Sequence, residues 1–86
     1  MKQYLEAVQS AAMSLDKEKL GNILKDIKSE YATLLANSTF IAKKIEIARI
    51  VDVDSSELQK SLVETQRLCR EAEDIINRIY LVFEKL

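Results

Sequence analysis

Residues 50–62 read Ile50-Val51-Asp52-Val53-Asp54-Ser55-Ser56-Glu57-Leu58-Gln59-Lys60-Ser61-Leu62, and this stretch decides the fold. Asp52-Val53-Asp54 interrupts two apolar stripes of the same period. Asp54 can accept hydrogen bonds from the free amides of a first helical turn, and Glu57, three residues on, can reach back to its amide. Val53 and Leu58 stand where a hydrophobic staple would clasp that cap. The segment therefore predicts a hinge followed at once by a helix.

Downstream, Leu58, Leu62, Thr65, Cys69, Ala72, Ile76, Ile79, Phe83 and Leu86 alternate in steps of four and three, which keeps them on one face of a helix running from about residue 55 to about 84. Upstream, Leu20, Leu24, Ile27, Tyr31, Leu34, Ser38, Ile41, Ile45 and Ala48 step in the same way. Asn37-Ser38-Thr39 favours caps over helix interiors and could break the run. The stripe keeps its phase on both sides, which favours continuity. Before it, Tyr4, Leu5, Val8, Ala11, Ala12 and Leu15 form the face of a short first helix out of phase with the second. Ser14 or Asp16 could cap the second helix, or Gly21 could end the first as a left-handed cap.

A connection as short as Asp52-Val53-Asp54 forces the two long helices antiparallel. Residues whose numbers sum to about 106 then lie level, so Ser38 comes near Cys69 and Ile41 near Thr65, with Ala42 and Ala72 adding to a layer of small side chains. The expected architecture is all-α: an antiparallel hairpin of two long helices plus a short N-terminal helix, one helical domain over residues 1–86.

The stripes are broader than a two-helix seam can cover. Leu68, Ile75 and Val82 widen the last helix on one flank and Tyr80 on the other, while Ile23 and Leu35 widen the middle one. A strip this wide calls for a third helix or a second chain. The first helix is too short to cover all of it, and apolar density is highest from Ile75 to Leu86, so that segment is expected to be the uncovered end.

Composition agrees with a helical, associating chain. Of 86 residues none is proline, one is glycine, 48% are apolar and 31% are charged. A chain of this length buries only roughly 60–65% of its unfolded surface, so a core this small needs support. A single cysteine and no histidine rule out an intramolecular disulfide and a zinc site of the nitrogen–sulfur type, leaving association with another chain. The net charge of −1, with basic residues dispersed, gives no nucleic-acid footprint. Lys2 is followed by no apolar run of the signal-peptide kind, and Tyr80-Leu81-Val82-Phe83 is far short of the ~20 residues of a membrane span. A free thiol without an export signal points to a reducing cytoplasm.

No chemistry is expected: no catalytic residue, no metal ligand set and no cofactor. General acid–base or nucleophilic catalysis needs a group titrating near neutrality or a nucleophile with its base, and there is no histidine. Cys69 lies on the core stripe and reads as a small buried hydrophobe. Glu71, Glu73 and Asp74 stand at ion-pairing distance from Arg67, Arg70 and Arg78, a solvated ladder and not paired catalytic acids. Asp52, Asp54 and Ser56 are spaced like the start of a calcium loop, but Glu57 replaces its glycine and Val63 its bidentate acid.

Two families bear on these residues. Leu15-Asp16-Lys17-Glu18-Lys19-Leu20 through Ile27 is loosely similar to the first helix of small all-helical chorismate mutases. Those enzymes hold their dicarboxylate substrate with arginines on that helix, whereas here none precedes Arg49. The segment Glu71-Ala72-Glu73-Asp74-Ile75-Ile76-Asn77-Arg78-Ile79-Tyr80 resembles the C-terminal helix of the small co-chaperones of bacterial type III secretion. These are acidic helical hairpins in which an alanine and acids precede paired isoleucines and an aromatic. Residues 20–86 are similar to them in architecture, with a segment of about twenty residues added in front. The resemblance implies a co-chaperone that packs against a helical-repeat chaperone to keep a needle subunit monomeric in the cytoplasm. It also implies that Ile75, Ile76, Ile79, Tyr80 and Phe83 bind the partner. A helical inhibitor or immunity-type protein, and a homo-oligomeric bundle, fit the composition as alternatives.

Overall fold

A computed structural model describes all residues, Met1–Leu86, as three helices with no strand. Helix α1 spans Lys2–Met13, α2 Lys17–Ile50 and α3 Ser56–Lys85. They form a rod of 55 × 16 × 15 Å. The expected all-α hairpin with a short leading helix is what the chain adopts.

The 34-residue α2 is unbroken through Asn37-Ser38-Thr39. The Thr39 hydroxyl donates to the Leu35 carbonyl at 3.1 Å and that of Thr33 to Ser29 at 3.2 Å, so these polar groups are satisfied within the helix instead of ending it. Asp16 is the N-cap, its carboxylate accepting from the Lys19 amide at 3.0 Å. Gly21 lies within α2 and is not a cap.

Both helix-to-helix turns use the same device. At the hinge the Val53 amide returns to the Ala48 carbonyl at 2.8 Å, with Asp52 at φ 60°. After α1 the Asp16 amide returns to Ala11 and that of Leu15 to Ala12, both at 3.0 Å, with Leu15 at φ 54°. The turn after α1 is a full left-handed Schellman cap, and the hinge makes its six-to-one bond alone; both satisfy late carbonyls of a helix. Aspartate tolerates that conformation; a leucine there is strained by about 1 kcal/mol. Leu15 has no packing to compensate, since it is 72% exposed. Glycine is thus placed where alanine would serve better, and leucine where glycine would. A methyl added at Gly21 meets nothing within 4 Å. The double variant Leu15→Gly/Gly21→Ala is expected to gain about 1–2 kcal/mol, read as a raised urea midpoint with unchanged slope.

The start of α3 differs from the expected cap by one residue. Ser55 occupies the N-cap position, and the Asp54 carboxylate accepts from the Ser56 amide at 3.2 Å and the Ser56 hydroxyl at 2.7 Å. Those two bonds, the hydroxyl first, hold the Asp54 carboxyl below its ordinary pKa. The one-residue shift takes Glu57 out of the capping-box position and puts Asp54 and Gln59 where a staple needs apolar groups. Val53 is accordingly exposed, and Glu57 pairs with Lys60 at 3.5 Å.

Helices α2 and α3 run antiparallel in the expected register. The Lys28 ammonium sits 5.1 Å from the Tyr80 ring centre, and the Tyr31 hydroxyl donates to the Glu73 carboxylate. The turn at Ser14-Leu15-Asp16 folds α1 back along the start of α2, beside the end of α3. There the rod is three helices thick. Val8 and Ala11 of α1, Leu20 and Ile27 of α2, and Ala72, Ile75 and Ile79 of α3 make one buried cluster. Tyr4 ties α1 to α2, its hydroxyl donating to Glu30 at 3.3 Å.

Candidate partner-binding face

The five residues that the resemblance implies for partner binding divide. Ile75 and Ile79 are buried in the core, and Ile76 and Phe83 pack half-buried against it. Only Tyr80 is substantially open, on the flank away from α1 and partly capped by Lys28. The expectation that Ile75–Leu86 would be the uncovered end is therefore corrected: α1 covers it. Met1, Leu5 and Ile23 pack on the same cluster as Ile75 and Val82, so the wide flank of α3 is covered within the chain from Ile75 onward, though not at Leu68.

Met13, Leu15, Tyr80 and Leu81 are open at this end, but most of the exposed large apolar groups lie at the other. Beyond Met1 the rod thins to two helices, and Leu34, Ser38, Ile41, Leu62, Thr65 and Leu68 along the seam are only half-buried. Around it Phe40 is 60%, Ile47 52%, Ile50 82% and Val51 58% exposed, with Val53 and Val63 also open. Phe40, Ile47 and Ile50 or Val51 follow at seven and then three or four residues, which places them on one outward face of α2. Lys43 and Lys44 occupy the intervening positions of that face, and the Lys44 ammonium lies 4.8 Å from the Phe40 ring centre. This second stripe is readable in the sequence by the same spacing. It escapes notice because the stronger seam stripe dominates the same helix.

The charges divide between the helices. Every ion pair lies within α3: Glu57 with Lys60, Asp74 with Arg78 at 3.0 Å, and Arg67 with both Glu64 and Glu71. The Arg67 hydrogen bond holds the Glu64 carboxyl below its usual pKa and raises that of the arginine. These pairs are solvated and each contributes little to stability. Lys43, Lys44, Glu46 and Arg49 of α2 form none.

Glu73 turns instead to Tyr31 across the helix interface. The hydrogen bond to Glu73, then desolvation, raises the Tyr31 pKa above 10.0. A tyrosine whose folded pKa exceeds its unfolded one contributes stability below the unfolded value and loses it as pH rises through the folded one. Desolvation, then Glu30, raises the Tyr4 pKa as well, so tyrosinate absorbance is expected to show both Tyr4 and Tyr31 titrating late, with Glu73→Gln bringing only Tyr31 back toward the ordinary value.

Two shallow clefts exist. One, of about 300 Å³, is lined by Met1, Lys2, Leu5, Glu71, Asp74 and Ile75, where α1 begins and its cover of the seam ends. The other lies on the outer side of α3 at Ser56, Gln59, Lys60, Val63 and Glu64. No three histidine, cysteine, aspartate or glutamate side chains converge as a metal site, and Cys69 is free and buried. No buried side-chain polar atom lacks a partner. No helix is long and apolar enough to cross a membrane.

Comparison with protein-family models, with curated proteins and with solved structures finds no match. The most open part of the chain is an apolar face with unpaired lysines between its large side chains, on a helix anchored elsewhere in the core.

Proposed function

We propose that this chain is a non-enzymatic protein-interaction module of the co-chaperone kind, acting in the cytoplasm by covering an apolar helix of a partner protein. The observation carrying this reading is the division of the rod. One end closes its own core with a third helix; the other is a bare two-helix hairpin with Phe40, Ile47, Ile50 and Val51 in solvent. A helix laid on such a surface buries apolar area on both partners and so lowers the partner's tendency to self-associate. The resemblance of Glu71–Tyr80 to type III secretion co-chaperones supplies the partner class: a helical-repeat chaperone or the secreted subunit it holds. Within that reading Ile75 and Ile79 act by holding the core, while Tyr80 and the rim at Phe83 remain accessible at its edge.

A charge-led inhibitor is less well supported, because Glu71, Glu73 and Asp74 are engaged with Arg67, Tyr31 and Arg78. The test is hydrophobic-dye fluorescence with light-scattering mass on the wild type and on Phe40→Ser/Ile47→Ser. The wild type is expected to bind dye or associate, and the variant to lose this without losing thermal stability. A wild-type monomer that neither binds dye nor associates sinks the proposal.

A further inference from the structure

We infer that the open face of α2 between Phe40 and Val51 takes an acidic amphipathic helix, an inference that rests on the interaction-module reading above. The stripe Phe40, Ile47, Ile50 and Val51 covers roughly 16 Å at 1.5 Å per residue, about three turns, which is the span of one helix lying alongside. Its polar positions are Lys43 and Lys44, while Arg49 falls on the opposite side of the helix and adds nothing to this face. Glu46 is the one acid in this stretch, and no side chain here is ion-paired. The carboxylates of α3 that might neutralise the lysines are either held by Arg67 and Lys60 or lie at the hinge. The face is therefore apolar with uncompensated positive charge, and its complement is apolar with negative charge.

The acids beyond the stripe argue against a membrane as occupant, even though its lysines would attract one. Asp52, Asp54 and Glu57 stand at the tip of the hairpin just beyond Val51, and an anionic bilayer meeting the stripe would meet them as well. A helix can lie along the stripe and stop short of the tip. The two lysines set its register, with the acidic residues of the partner level with Lys43 and Lys44.

Two synthetic amphipathic helices with an identical leucine face test this on the full chain, one with a glutamate polar face and one with lysine. The acidic peptide is expected to bind about tenfold more tightly, with a preference that shrinks as salt rises. Lys43→Glu/Lys44→Glu, both exposed, is expected to reverse the preference with unchanged circular dichroism, and Phe40→Ser/Ile47→Ser to weaken both peptides. Equal affinity for the two peptides overturns the inference and leaves the interaction module standing. Binding of neither overturns both. Binding to phosphatidylglycerol vesicles in preference to the acidic peptide, or a dimer that masks Phe40 from it, overturns the inference by naming another occupant.

Discussion

Ile79→Ala is expected to lower the unfolding free energy by about 3–4 kcal/mol, a large share of what a domain this small can have. Ile79 has no exposed surface and sits with Leu20 and Ile27, the other large side chains fully enclosed in the three-helix cluster. Truncating it removes its transfer free energy and leaves a cavity that α1, α2 and α3 would all have to close around. At this chain length that loss shifts Tm by roughly 15–25 °C. Tyr80→Ala, one residue away but 44% exposed, is expected to cost only about 0.5–1 kcal/mol, mostly from the contact with Lys28. The pair separates two roles on a single turn of α3. If Ile79 served a partner and not its own core, the isolated protein would melt at the wild-type temperature, and only complex formation would suffer. Differential scanning calorimetry of the two variants decides it.

This contrast marks how far the amino-acid pattern is legible. The hinge, the antiparallel register and the seam follow from spacing alone, because a helical stripe with unbroken phase has one way to face its neighbour. The Lys28–Tyr80 and Tyr31–Glu73 pairs fall where that register requires. Which end of the wide stripe is covered is a question of connectivity. A three-residue turn between Met13 and Lys17 places α1 beside the start of α2, and antiparallel pairing has already set the start of α2 beside the end of α3. The densest apolar segment is thereby the protected one. Apolar density reports the demand for a partner surface, and here the chain meets that demand itself. Exposure at Phe40 and Ile47 has another cause, since their face of α2 points away from both neighbours and is in solvent at Asn22, Lys25, Asp26 and Ser29 even where α1 is present.

Local capping is less legible in the sequence. Asp54-Ser55-Ser56 offers three side chains able to accept from a first-turn amide, and spacing does not choose among them. The Schellman return from Val53 to Ala48 fixes the path of the chain out of α2, and the helix starts one residue later than the capping-box pattern suggests. Leu15 carries no left-handed signature at all. Its conformation is imposed by the turn, which must reverse the chain within three residues whatever occupies that position.

The second large effect is expected from Val8→Asp. Val8 is 4% exposed on the face of α1 that meets the core, and a carboxylate there has no cationic partner within the cluster. Burying it uncompensated costs several kcal/mol, more than a 12-residue helix with two buried side chains can offset, so α1 undocks. The α2–α3 hairpin remains joined along its seam. Helical circular dichroism is expected to fall by about one-sixth, since α1 holds 12 residues against 34 and 30 in the other helices. Dye binding is expected to rise as Ile23, Ile75 and Val82 lose their cover, and mass to become concentration-dependent as two hairpins bury those flanks together. The pH dependence has a definite sign. Desolvation raises the pKa of the introduced carboxyl in the docked state, so docking is favoured at low pH and lost as pH rises through that value. Unchanged helicity and dye binding at neutral pH would mean that α1 is not held by the core at all. The expected result means that the C-terminal stripe becomes an exposed apolar surface only when α1 is released, and that in the intact chain α1 is what covers it.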